Sequence, residues 1–352
     1  MKLRVFPLVL ALVLLVSAFA GCQKATVSDE QPLDNTPAEE TTPAEETPVA
    51  VDDATIKVYT LNGTTGFGMA KLMSEDKTNE YTVKTDASDV TAALVSGDAD
   101  IAALPTNAAS SLYNKTGGKV VILAVNTKGC LYLVNGTGAV IDDLADLKGK
   151  TVYVPAQNPT FITTYLLRAA GLEVGKDVIL DSESYAQPAN LRDAVAAGDI
   201  DLAVLPEPMV TIAKSKSEKA LEVSLDLTEE WKELEGSDSL VQGCLVVRKE
   251  FLEAHAGLVK AFLENYKTSV EFLNENPKEA AALIAETGIF ANAAIAEKAI
   301  PKCNICYIDE EEMKDAMVAY LTALASVNPN AIGGGLPEDD FYYVAGAQDA
   351  GK

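Results

Sequence analysis

Two groups of residues in this chain have the types and spacing to do chemistry. The first is thiols: Cys130, Cys244 and the pair in Cys303-Asn304-Ile305-Cys306. A two-residue spacing suits a redox couple or half of a zinc site, but no second ligand pair accompanies it, and His255 is the single histidine. His255 lies in Glu253-Ala254-His255-Ala256 without a partner motif, and no serine sits in a Gly-x-Ser-x-Gly frame. The expectation is a protein that is not an enzyme and takes no metal and no cofactor. The second group is polar and mostly uncharged. It comprises Asn62-Gly63-Thr64-Thr65-Gly66-Phe67, Pro105-Thr106-Asn107, Gln157-Asn158-Pro159-Thr160-Phe161 and Pro206-Glu207-Pro208. Amides, hydroxyls and glycine-exposed backbone bind small solutes through hydrogen bonds and do not transform them.

The elements that must position these loops are visible in an internal repeat. Residues 89–105 read DVTAALVSGDADIAALP and residues 190–206 read NLRDAVAAGDIDLAVLP, with seven identities in seventeen positions. Each copy predicts a short helix stopped by a glycine (Gly97, Gly198), a turn, and a wholly apolar strand ended by proline (Pro105, Pro206). Ahead of each copy stands another strand, Ile56–Tyr59 or Thr151–Val154, followed by a polar loop and a helix. Strands alternating with helices predict parallel sheets, and two such units predict two α/β lobes. In open parallel sheets ligands sit beyond the carboxyl ends of the strands, where helix N-termini offer unpaired N–H groups. The four polar loops fall at those ends. Thr64, Thr65, Asn107 and Thr160 suit helix caps as well as ligand contacts. Glu207 suits either a first-turn carboxylate or a cleft residue selective for an amine. Phe67 and Phe161 could stack on a planar ligand.

The chain ends bound the setting. Lys2 and Arg4, the apolar run Val5–Ala20 and the small residues before Cys22 predict an export signal over 1–21. Phe19-Ala20-Gly21-Cys22 resembles a bacterial lipobox, which implies lipidation of Cys22 and a membrane anchor at the outer face. Residues 22–53 are rich in Thr, Pro, Ala and Glu, with Thr36-Pro37-Ala38-Glu39-Glu40 nearly repeated as Thr42-Pro43-Ala44-Glu45-Glu46. This predicts a disordered acidic tether. The formal charge of −24 argues against nucleic acid as a partner. After a strand at 241–247, the stripes Leu258-Phe262-Tyr266-Val270-Leu273 and Met313-Met317-Tyr320-Leu324-Val327 predict two long core helices.

Several segments in order carry a family resemblance: Ala93–Ile101, Leu144–Val152, Leu205-Pro206-Glu207-Pro208 and Val246–Phe251. Over residues 54–330 the chain resembles the ABC-transporter substrate-binding family that includes sulfonate, taurine, nitrate and thiamine-precursor binders. The resemblance implies a type II periplasmic-binding-protein fold. Lobe one would be 54–135 plus 242–346, lobe two 136–241, and Leu131–Val134 and Leu245–Val247 the connecting strands. It implies a monomer that carries a small molecule to an ABC permease. Asn126, Gly129 and Gly243 near the hinge become further candidates for ligand contact, and Cys130 and Cys244 could be bridged there. Lys128, Arg168 and Arg192 form no evident anion clamp, since both arginines fall within helices. That shifts the expected ligand toward an amino-bearing heterocycle, with a small organic anion such as a sulfonate as the other choice. An exported sensor remains open, as does, less favoured, an enzyme on the same fold.

Overall fold

The computed structural model describes residues 54–344. The export segment, Cys22 and the whole tether lie outside the described residues. Eleven strands among them form two sheets. The first contains β1 (Lys57–Leu61), β2 (Glu80–Lys84), β3 (Ile101–Pro105), β4 (Val120–Lys128), β10 (Val241–Arg248) and β11 (Ile305–Ile308). The second contains β5 (Leu131–Asn135), β6 (Thr151–Tyr153), β7 (Ile179–Asp181), β8 (Leu202–Pro206) and β9 (Glu222–Asp226). Their orders are β11-β4-β10-β3-β1-β2 and β7-β6-β8-β5-β9.

The repeat is built as predicted. β1 runs parallel to β2 and β3, and β6 runs parallel to β7 and β8. Gly97 and Gly198 end their helices in the left-handed region, at φ 82° and 78°. β3 and β8 are buried along their first four residues, as strands covered on both faces must be. Against each parallel trio lies one antiparallel strand that has just arrived from the other sheet: β10 on β3, and β5 on β8.

This arrangement moves the expected lobe boundary. Leu131–Val134 lie wholly inside the second sheet, paired with β8 and β9, so the first sheet's share of the chain stops near Lys128 and not at residue 135. Leu245–Val247 likewise belong to the first sheet, paired with β3 and β4. The chain crosses at Gly129-Cys130 and returns between the helix Leu227–Glu235 and β10. β11 was not anticipated; the Cys303–Cys306 spacing turns out to straddle the start of an edge strand.

The two apolar stripes are core. Phe262, Tyr266, Val270 and Leu273 are buried on the helix Ala256–Glu275, and Met313, Met317, Tyr320 and Leu324 on the helix Glu310–Val327. Each such side chain contributes roughly 1.5–3 kcal/mol by leaving water. No helix among the described residues is long and apolar enough to cross a membrane.

The second aspartate of the repeated Gly-Asp-x-Asp differs in burial between the two copies. Asp100 is 5% exposed; its carboxylate accepts from Lys57 N at 2.9 Å and from Arg248 Nη2 at 2.6 Å, tying β1, β3 and β10 together. Asp201 is exposed, with Lys219 Nζ at 3.5 Å. Removing one partner of a buried pair leaves an uncompensated charge, whereas an exposed pair is screened. Asp100→Ala should lower stability by roughly 3 kcal/mol and Asp201→Ala by less than about 1 kcal/mol. Urea unfolding of the two variants checks this, and equal losses would refute it.

Candidate functional site

Each lobe places helix starts beyond the carboxyl ends of its parallel strands, and the two sets face a common cleft of about 720 Å³. Four helices begin at its wall. Ala87–Ser96 and Thr106–Thr116 belong to the first sheet; Asn158–Ala169 and Pro188–Ala197 belong to the second. Asp86 caps the first through a bond from Ser88 N, while the other three have no side-chain cap. Three uncapped first turns thus point N–H groups and a partial positive charge toward one space. The lining is rich in amides: Asn107, Gln157, Asn158, Gln187, Asn328 and Asn330. Lys115 is the single lining cation and Asp86 the single lining carboxylate.

Of the residues singled out in the sequence, the cleft wall contains Asn107, Gln157, Asn158 and Phe161. Asn107 is 8% exposed, and its Oδ1 has no partner among the described residues. Asn158 Oδ1 accepts from Tyr320 OH at 2.7 Å, so the long helix of lobe one orients an amide of lobe two. Gln157 has a positive φ, 73° with ψ −130°. Its counterpart after the first strand of lobe one is Gly63, at φ 88° and ψ −158°. The same turn is thus built twice, once with glycine and once with a side chain held in a strained backbone region at the cleft wall.

The remaining sequence candidates do not line the cleft. Asn62 is exposed, with its Nδ2 3.4 Å from Thr85 Oγ1. Phe67 is fully buried against Phe290. Thr106 is fully buried and donates to Val241 O at 2.7 Å; Thr160 donates to Pro155 O at 2.8 Å. Gly66 lies so close to Leu61 that a Cβ would stand 2.1 Å from its carbonyl oxygen. Asn126 is buried and donates to Thr65 O at 3.2 Å, and Gly243 leaves room for it: a Cβ there would stand 2.5 Å from Asn126 Oδ1.

Thr64 and Glu207 belong to the junction of the lobes. Thr64 Oγ1 donates to Glu207 O at 2.7 Å, and Glu207 N donates to Cys130 O at 2.9 Å. The Glu207 side chain is 1% exposed, and its carboxylate accepts from Thr211 N and Thr211 Oγ1 at 3.1 and 3.0 Å, serving its own helix start. Burial pushes this carboxyl above its usual value, against the lowering effect of the Thr211 bonds. Close by, Tyr132 OH donates to Lys302 O at 2.7 Å and Asn304 Nδ2 to Gly129 O at 2.6 Å.

All four described cysteines are free, so the Cys130–Cys244 bridge is not formed. Cys244 Sγ points to Leu104 O at 3.5 Å. Burial pushes the Cys130 and Cys306 thiols up to about 12, which leaves them un-ionised and inert near neutral pH. No group of three or more metal-ligating side chains occurs among the described residues.

Sequence reasoning missed Ser88, Ser111, Lys115, Gln187 and the turn Asn328–Ala331. Ser88 and Gln187 stand at helix starts that follow β2, which is weakly apolar, and β7, which is only three residues long. The turn reaches the wall only by folding back onto the helix Thr106–Thr116, where Ser110 Oγ and Asn114 Nδ2 donate to Ile332 O at 3.0 and 2.8 Å.

Two α/β lobes, each crossed by an antiparallel strand from the other, with helix starts facing a shared cleft, define the class of two-lobed solute-binding proteins. The chain belongs to the family described as "ABC transporter, phosphonate, periplasmic substrate-binding protein", whose model matches residues 73–293. Solved structures agree. An ABC transporter structure from Parabacteroides distasonis is 27% identical with a TM-score of 0.69, the match covering 83% of this chain and 99% of that one. The periplasmic aliphatic sulphonate binding protein SsuA from Escherichia coli is 15% identical with a TM-score of 0.66, covering 82% and 92%. The periplasmic nitrate-binding protein NrtA from Synechocystis PCC 6803 is 16% identical with a TM-score of 0.56, covering 79% and 84%. No curated protein sequence matches this chain.

The strained turn makes a measurable demand. Gln157→Gly relieves the backbone at some cost in unfolded-chain entropy, and should raise stability by up to about 1 kcal/mol. The urea midpoint reads this. A loss of similar size would mean that the Gln157 side chain contributes more by packing than its backbone costs.

Proposed function

We propose that this protein is the non-catalytic capture component of an ABC importer, monomeric and held at the outer face of the cell membrane by lipid on Cys22. The ligand site is the cleft between the lobes, with Asn107, Gln157, Asn158 and Phe161 as direct contacts. Thr64, Thr65, Gly66, Asn126, Glu207 and Gly243 shape the hinge behind it. One observation carries the reading: four helices, three of them without a side-chain cap, begin at a single cleft of small-molecule size. Helix starts favour oxyanions, so the ligand carries a phosphonate, sulfonate or comparable acceptor group. These are also the ligand types in the names of the matching family and of SsuA. A neutral heterocycle is the second reading, favoured by the single lining cation Lys115 and by Phe161 at the wall. Neighbouring permease and ATPase genes would separate import from sensing.

A melting-temperature screen of the full chain with methylphosphonate, ethanesulfonate, nitrate and hydroxymethylpyrimidine tests the site. A ligand at a hundredfold its Kd stabilises by about 2.7 kcal/mol, a shift of several degrees. The expected result is a rise with an oxyanion; a rise with hydroxymethylpyrimidine alone would favour the second reading, and no rise with any would remove the cleft assignment. For the anchor, Cys22→Ser should move the expressed protein from the membrane fraction to the soluble fraction. An unchanged membrane fraction would exclude lipidation at Cys22.

A further inference from the structure

The cleft extends well past the helix starts and has a long axis. On the helix Thr106–Thr116 its wall contains Ala108, Ser111, Leu112 and Lys115, spaced i, i+3, i+4 and i+7. That spacing is one face of a helix. With Asn107 in the first turn, the lined stretch runs nearly the whole length of this helix, about 12 Å at 1.5 Å per residue. Lobe two meets the groove where two of its helices start, at Asn158 and beside Pro188. The volume of about 720 Å³ lies within the roughly 300–1,000 Å³ of sites that hold drug-sized molecules, far more than a small anion such as nitrate needs.

The two ends of the lined helix differ in what they offer. At one end is its own uncapped first turn. At the other is Lys115, exposed and in the last turn. A lysine in a last turn suits the helix dipole wherever it points. What sets Lys115 apart is that it stands on the cleft side of the helix and has no hydrogen bond or ion pair among the described residues. Asp86, the single lining carboxylate, accepts from Ser88 N at 2.8 Å and forms no ion pair with it. In a chain with 52 acidic and 28 basic residues, a cation left without a carboxylate at a groove wall is not the default. We infer that the ligand is an elongated solute with two acidic groups: an oxyanion at the helix starts, and a second group, such as a carboxylate, at Lys115 about 12 Å along the helix. Ala108 and Leu112 lie between the two ends on the same face and suit a hydrocarbon link. Lys115 then distinguishes a two-ended solute from a plain alkyl oxyanion. This rests on the cleft reading above and extends it to the length and charge of the ligand.

The test uses matched pairs in which a terminal methyl is replaced by a carboxylate. They are hexylphosphonate with 6-phosphonohexanoate, and hexanesulfonate with 6-sulfohexanoate, each titrated calorimetrically into the full chain at low ionic strength. The expected result is that the carboxylate member of at least one pair binds about fivefold or more tightly than its partner, and that added salt shrinks the ratio. Lys115→Gln should bring the ratio close to one. Its melting temperature without ligand should stay within about 2 °C of the wild type, because the side chain is exposed, which shows that the variant is folded. Lys115→Arg, which keeps the charge, should retain the preference. Equal affinity of the two members of both pairs for the wild type, or a preference that survives Lys115→Gln, overturns the inference and leaves the cleft reading standing. Failure of all four probes to bind the wild type overturns both.

Discussion

The features that face the cleft follow from one constraint: in a parallel α/β sheet a strand ends where a helix begins. The chain leaves β2, β3, β6 and β7 at their carboxyl ends and passes into helices that start at the cleft, three of them without a side-chain cap on their first N–H groups. In a single lobe those groups would face water. Here a second lobe of the same construction stands opposite, so two sets of unsatisfied donors share one cleft. The wall is then finished with amides, which can satisfy either a donor or an acceptor depending on how the protein holds them.

The duplication also explains the hinge. Each sheet accepts, beside its parallel trio, one antiparallel strand that has just crossed from the other, so both crossings arrive at interior strands, β5 and β10, and the return leaves from β9 at the edge of the second sheet. Few polar ties reinforce them: Thr64 to Glu207, Tyr132 to Lys302, Tyr320 to Asn158. Net, each such bond contributes about 1 kcal/mol, a scale that ligand binding can match. Trp231, the single tryptophan, belongs to the same seam. It is fully buried between Tyr165 of the second lobe and Tyr320 of the first, with ring centroids at 5.1 and 5.7 Å.

Much of the architecture was legible because it is written in local patterns. Gly97 and Gly198 announce helix ends, the runs Ile101–Leu104 and Leu202–Leu205 announce buried strands, and the spacing of Phe262, Tyr266 and Val270 announces a core helix. Strands whose burial comes from neighbours were harder. β2 and β9 carry Glu, Thr, Lys and Ser among their few apolar residues, and β11 hides in a segment that reads as a cysteine motif. The lobe boundary was misplaced by a few residues for a related reason. Leu131–Asn135 is as apolar as β4 before it, and only its pairing with β8 and β9 assigns it to the second sheet.

The site divides along the same line. The amino-acid sequence by itself determined which loops follow parallel strands, and therefore that Asn107, Gln157, Asn158 and Phe161 would stand near helix starts, because strand, turn and helix are set by residues close together in the chain. Only the tertiary structure decided which side of each loop faces the cleft. It turned Thr106 and Phe67 into the core, engaged Thr64 and Glu207 at the lobe junction, and brought Asn328–Ala331 more than two hundred residues along the chain to set the Asn107 amide. A side chain's type states what it can bond. Which of its atoms remains free depends on partners distant in sequence, and those exist only once the two lobes have packed.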